Sequence, residues 1–243
     1  MGISPRDFFL ARSGPFFIGL LLLALVAFWP SYISKGPLGS NFYIHFHATM
    51  ATLWMLMLII QPMAVRRGKL ARHRAVGKLS FLLAPLFILS VILLAHHRLK
   101  IAAPGPAYGL QTYILWLQSS IVTLFTISWV AAIIKRKATP MHARFMVCTG
   151  LTLIDPVVIR ILFCIQMPPP FNYQWITFGL TDLVLLALIW AERRGGRPDD
   201  GGFKVFPAML VLFLLAQIPA LFGMTEMAWW QSFATWYGSL PLT

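Results

Sequence analysis

Along the chain, apolar runs of about 20 residues alternate with short polar stretches, the length at which an α-helix crosses a hydrocarbon core of about 30 Å. Seven runs are read, at roughly 15–34, 43–65, 78–97, 109–134, 142–166, 172–191 and 203–222. Breakers separate them: Gly36-Pro37 after the first, Pro104-Gly105-Pro106 after the third and Pro168-Pro169-Pro170 after the fifth. The stretch GGRPDDGG at 195–202 reads as a flexible hydrophilic loop. The predicted fold class is therefore all-α: a polytopic membrane helix bundle of about seven transmembrane helices, forming one integral membrane domain over 1–243. Short connections make neighbours in sequence neighbours in space.

Composition agrees with the pattern. Of 243 residues, 58% are hydrophobic and 11% charged, where a soluble domain carries about a quarter charged residues. A net charge of +13 raises the question of nucleic acid, but the basic residues fall in short loops between apolar runs, as membrane topology requires, so no nucleic-acid partner is expected. Arg66, Arg67, Lys69, Arg72, Arg74 and Lys78 occupy the second connection. Lys135, Arg136, Lys137 and Arg144 flank the fourth, and Arg193, Arg194, Arg197 and Lys204 the sixth. The alternate connections hold Lys35, Arg98 and Lys100. This bias puts the N-terminus in the cytoplasm and the C-terminus outside. The polar stretch MGISPRDFFLARSG and the long run after it suit a retained anchor better than a cleaved signal. Trp229, Trp230, Trp236 and Tyr237 in the tail suit an interfacial anchor. Cys148 and Cys164 lie in one run without a CxxC spacing, so buried free thiols are expected.

Six histidines fall into two layers under this topology. His45 and His47 enter the second span from outside, and His96 and His97 end the third at the same face. Residues two apart on a helix point about 200° apart, so of the first two His47 is favoured. It starts a line through Met50, Trp54 and Gln61 on one face. His73, before the third span, and His142, at the start of the fifth, make the inner layer. Imidazole is a common metal ligand and an axial haem ligand, and a helix bundle can hold two face to face. The expected cofactor sites are His47 with His96 outside and His73 with His142 inside, for haem b or a transition metal. An outer metal set is His45, His47, His96 and His97. Interfacial histidines also occur with no ligand to bind, and His73 sits among arginines expected at anionic headgroups.

The spans also carry polar groups at depth: Gln118, Asp155, Arg160, Asp182 and Gln217. Ionisable groups inside a bilayer are costly and are usually paired. Arg160 is expected to neutralise Asp155 or Asp182, either as a clamp between spans or as part of a proton or substrate path. Pro156 lacks an N–H and is expected to kink the fifth span. Arg144 is expected at the inner headgroups.

Three fragments recur in a known order: FHATMATLWMLM, then HRAVG opening one span, then HARFM opening a later one with VVIR downstream. This resembles an uncharacterised family of bacterial multi-pass membrane proteins of unknown function, with a pattern H…HRxxG…HxRxM. The resemblance covers roughly 43–163 and maps onto His47, His73, Gly77, His142, Arg144, Met146 and Arg160. It implies a shared role for those positions. Architecturally, paired histidines across antiparallel spans are similar to two-haem membrane cytochromes of the b561 type, except that the span at 109–134 has no histidine.

The function expected is that of a redox or metal-handling protein of the bacterial inner membrane. Its expected partners are the lipid bilayer and a quinone or respiratory-chain component. The alternatives are a small proton-coupled transporter built on Asp155, Arg160 and Asp182, and a helper subunit of a membrane complex. GxSxG, HExxH and Walker motifs do not occur.

Overall fold

The computed structural model describes residues 9–165, 172–194 and 202–243. The expected break at Pro168-Pro169-Pro170 and the 195–201 part of the hydrophilic loop lie outside those residues. Among the described residues, seven helical segments are long and apolar enough to cross a membrane: Leu10–Phe28, Phe42–Arg66, Ser80–Lys100, Pro106–Ile134, Thr139–Ile165, Gln174–Arg194 and Gly202–Leu221. The molecule is an all-α multi-pass bundle.

Helix α1 (Gly14–Phe28) opens with Pro15 in its first turn, where the missing N–H costs nothing. It ends at Phe28, ahead of the expected boundary near 34, because Pro30 cannot continue the helix. Helix α2 (Phe42–Arg66) starts at Asn41, whose Oδ1 accepts from the Ile44 N–H at 3.1 Å. Such a cap satisfies one of the helix's free amide donors. Gly68, at φ 69°, takes the left-handed conformation that turns the chain back after α2. A short helix, α3 (Leu70–Lys78), follows where a basic loop was expected. Then come α4 (Ser80–Lys100) and α5 (Pro106–Ile134).

The fifth span is two helices, α6 (Thr139–Leu151) and α7 (Ile154–Ile165), with the ladder interrupted at Thr152 and Leu153. The expected kink at Pro156 is thus a full break. Proline in the first turn of α7 leaves the carbonyl four residues back without its helical donor. Helices α8 (Gln174–Arg194), α9 (Val205–Leu221) and α10 (Ala228–Ser239) complete the chain.

Helix α2 packs on α1 and α4, α4 on α5, α5 on α6, and α8 on α7 and α9. The core holds Trp54, Phe87 and Phe125, with ring centroids 4.8 Å (Trp54–Phe125) and 4.7 Å (Phe87–Phe125) apart. Trp54 Nε1 donates to Thr149 Oγ1 at 3.2 Å, satisfying its one polar group inside the core. Apolar side chains such as Leu22, Val26, Leu82, Leu183, Leu186 and Leu215 face outward on several spans. Exposed apolar surface of this extent matches contact with lipid tails.

Helix α10 is more than an interfacial anchor. Trp230 is buried and donates from Nε1 to the Thr112 carbonyl at 2.9 Å, clamping the tail to α5. Burial pushes the Tyr237 phenol up to about 12, so it stays protonated and donates to the Ile92 carbonyl at 2.6 Å.

Close helix approach explains one glycine. A Cβ at Gly150 would lie 2.2 Å from Cε1 of Phe17. Gly150→Ala is expected to destabilise the bundle by about 1–3 kcal/mol through overpacking. Thermal unfolding in detergent measures this, and Gly179→Ala, where a Cβ meets nothing within 4 Å, is the control.

Candidate functional site

At the end of the bundle carrying the basic connections, α2, α3 and α6 bring three polar side chains together. The rings of His73 and His142 stand 6.3 Å apart between centroids and nearly perpendicular, at 83°. These two residues, 69 positions apart (142 − 73), are the inner pair expected from the sequence. His142 Nδ1 lies 2.9 Å from the Ala132 carbonyl oxygen. A carbonyl only accepts, so Nδ1 carries the proton and Nε2 of the neutral ring presents a lone pair. Metal-ligating histidines are oriented in this same way.

Gln61, near the end of α2, completes the cluster. In the orientation that satisfies its neighbours, its amide oxygen accepts from the Gly77 N–H at 2.9 Å. Its nitrogen donates to the His73 carbonyl at 3.2 Å and to His73 Nδ1. One side chain therefore bridges the first and last residues of the HRAVG motif. Ser80 Oγ donates to the Gly77 carbonyl at 2.7 Å and ties the same turn to α4.

Burial holds His73 below the ordinary histidine range, assisted by the nearby His142 and Arg74 and opposed by a hydrogen bond from the ring to the Gln61 backbone. A lowered histidine value means that the unfolded chain takes up the proton first as pH falls below about 6.5. Stability is therefore expected to fall with acidification below that pH. Comparing melting temperatures at pH 7.5 and 5.0 checks this, with a smaller loss expected for His73→Asn.

Two residues beyond His142, Arg144 is fully buried, and its Nε donates to Glu192 Oε1 on α8. It does not reach the headgroups, as the sequence suggested, because the third position of HARFM faces the interior. Glu192 escaped sequence reasoning. Its one signal is an acid in the last turn of a span otherwise closed by Arg193 and Arg194.

The four histidines toward the opposite end go to four different partners. His45 Nδ1 and the Tyr32 hydroxyl are 2.8 Å apart, and Asn41 Nδ2 donates to His97 Nε2 at 2.7 Å. His47 Nδ1 lies 3.1 Å from Ser90 Oγ, whose own proton goes to the Phe87 carbonyl at 2.7 Å, so the imidazole donates. His96 is buried against Tyr237, with Nδ1 2.7 Å from Thr243 Oγ1. His47 thus faces α4 while His96 faces the tail. Among the described residues no group of three or more His, Cys, Asp or Glu side chains is placed to hold a metal ion.

The intramembrane polar set divides. Gln174 donates to Asp155 at 3.1 Å and Gln217 to Asp182 at 3.0 Å. Arg160 pairs with neither carboxylate; its guanidinium lies 4.4 Å over the Phe28 ring, on the α1 side. Helix α7 turns Asp155 and Arg160 to different neighbours, so amides replace the expected arginine as the carboxylates' partners. Gln118 is half-buried and joins neither pair. Asp155 and Gln217 both border a cavity of ≈ 30 Å³ between α5, α7, α8 and α9, room for a water or two. Cys148 is a buried free thiol as expected, whereas Cys164 is exposed.

No protein-family model, curated protein or solved structure matches the chain.

Proposed function

We propose that this multi-pass membrane protein is a redox protein whose site is the His73–His142 pair at the cytoplasmic face, binding haem b. The observation that carries the reading is the convergence of these two rings from separate spans. Metal–imidazole bonds are about 2 Å, and half a ring adds about 1 Å on each side, so two imidazoles across one metal stand about 6 Å apart between centres. The 6.3 Å between the ring centroids fits that span. His142 is already in the ligand tautomer, held by the Ala132 carbonyl.

Charge selects among the cofactors. Arg72, Arg74 and Lys78 flank His73, Arg66, Arg67 and Lys69 precede it, and 66–78 contains no acid. A bare divalent cation would be repelled there, whereas the carboxylates of haem are attracted. The bound iron would cycle between ferric and ferrous states, exchanging electrons with a quinone or respiratory-chain component. The chain's part is to supply two ligands, fix their rings and shield them with lipid-embedded helices. Of the two pairs expected from sequence, this reading keeps the inner one, because His47 and His96 turn to different elements. The likeness to b561-type cytochromes is accordingly reduced to one haem level.

Haem content tests the reading. Full-length protein from haem-sufficient cells is expected to carry about one haem per chain, the one-to-one stoichiometry of a single bis-histidine site. His73→Ala and His142→Ala should lose it, and His47→Ala and His96→Ala keep it. Haem retained in His142→Ala would overturn the assignment.

One observation favours a second reading, a proton-coupled transporter. The fifth span is broken two residues before Asp155, beside the small cavity, and discontinuous helices often line transport sites. That reading predicts proton uptake into proteoliposomes that is abolished by Asp155→Asn.

A further inference from the structure

We propose that Arg160, with Arg98 beside it, binds the phosphate group of an anionic phospholipid at the end of the bundle remote from the basic connections. The inference is independent of the haem reading. Arg160 lies five residues before Ile165, the last described residue of α7, so its Cα is about 7.5 Å inside that end. Arg98 lies two residues, about 3 Å, from the Lys100 end of α4. Both residues are exposed. The Arg98 charge is felt at Arg160, and the Arg160 charge at His47, five residues into α2. Basic residues of three helices thus gather in one layer.

A cation in a membrane-crossing segment is costly unless an anion meets it. Among the described residues, no carboxylate forms a salt bridge with either arginine. Asp155, the acid on the same helix as Arg160, takes the Gln174 amide instead. The Phe28 ring centroid lies 4.4 Å from the Arg160 guanidinium carbon. A ring stacked on the face of a guanidinium leaves its N–H edges for a ligand. The surroundings select a lipid. Phe163 and Ile165 on α7, and Val26 and Trp29 at the end of α1, the helix packed on α7, are all more than half exposed. Acyl chains cover such a surface, and the phosphate of the same molecule lies at the level a snorkelling arginine reaches. The planar fork takes two phosphate oxygens at once. An anionic phospholipid offers that phosphate uncompensated, whereas in a zwitterionic one its own ammonium group competes for it.

The test uses the full chain purified in a neutral detergent and phosphate-free buffer. Melting temperature is read against added dioleoyl-phosphatidylglycerol, dioleoyl-phosphatidylcholine and inorganic phosphate, for wild type, Arg160→Gln, Arg98→Gln and Lys137→Gln. Lys137 is an exposed cation at the opposite end and controls for the lost charge. Saturating phosphatidylglycerol is expected to raise the melting temperature of wild type and Lys137→Gln by about 5 °C. The rise disappears in Arg160→Gln. It shrinks in Arg98→Gln, which decides the matter if Arg160→Gln does not fold. Native mass spectrometry should find phosphatidylglycerol retained on the wild-type chain and absent from Arg160→Gln. An equal rise in all four proteins, an equal response to phosphatidylcholine, or no rise in wild type overturns the site. A rise with inorganic phosphate and none with phosphatidylglycerol overturns the choice of a lipid.

Discussion

Arg144→Ala is expected to destabilise the bundle by about 3–5 kcal/mol, the largest effect of any single substitution considered. The guanidinium is fully buried and bonded to Glu192, itself 4% exposed at the side chain. Truncating one partner leaves the other charge in a medium that solvates it poorly, and that penalty exceeds the net contribution of the pair. The loss should therefore be one-sided. Replacing both residues with apolar side chains of similar size, Arg144→Met with Glu192→Leu, is expected to recover most of the stability. Unfolding of the purified protein in detergent, followed by circular dichroism, measures all three variants. A loss under 1 kcal/mol in Arg144→Ala would mean that the pair is solvated. Because Arg144 lies two residues from His142 on α6, its loss should also loosen the histidine pair.

His142→Ala is expected to remove at least nine-tenths of the bound haem while leaving the fold intact. Its one hydrogen bond, to the Ala132 carbonyl, contributes about 1 kcal/mol. A bis-histidine iron that loses one axial ligand loses much of its attachment. Stability and cofactor content therefore separate at this residue, whereas at Arg144 they fall together. Circular dichroism beside haem quantitation distinguishes the two cases.

The spans were legible because length and hydropathy are local properties, and all seven were placed within a few residues apart from the ends of the first. What was not legible depends on partners distant in sequence. Helix α3 reads as a loop because its nine residues are mostly basic or small, and its docking depends on Gln61 of α2. Arg144 reads as a headgroup anchor because nothing near it in sequence announces Glu192, 48 residues on. Depth alone pairs Arg160 with a carboxylate, but depth does not specify azimuth, and α7 turns it toward Phe28. The same ambiguity affected the outer histidines: His47 and His96 lie at one end of adjacent helices yet face α4 and the tail. The contact of the inner pair was legible because HRAVG, in α3, and HARFM, near the start of α6, lie at the same end of the bundle. Their contact then follows from topology.

The most direct test of the central claim is the absorbance of the purified full-length protein, oxidised and then reduced with dithionite. The account predicts a Soret band and sharpened α-bands on reduction, both lost in His142→Ala and both kept in His47→Ala. A colourless preparation from haem-sufficient cells, or a haem spectrum unchanged in His142→Ala, would contradict it.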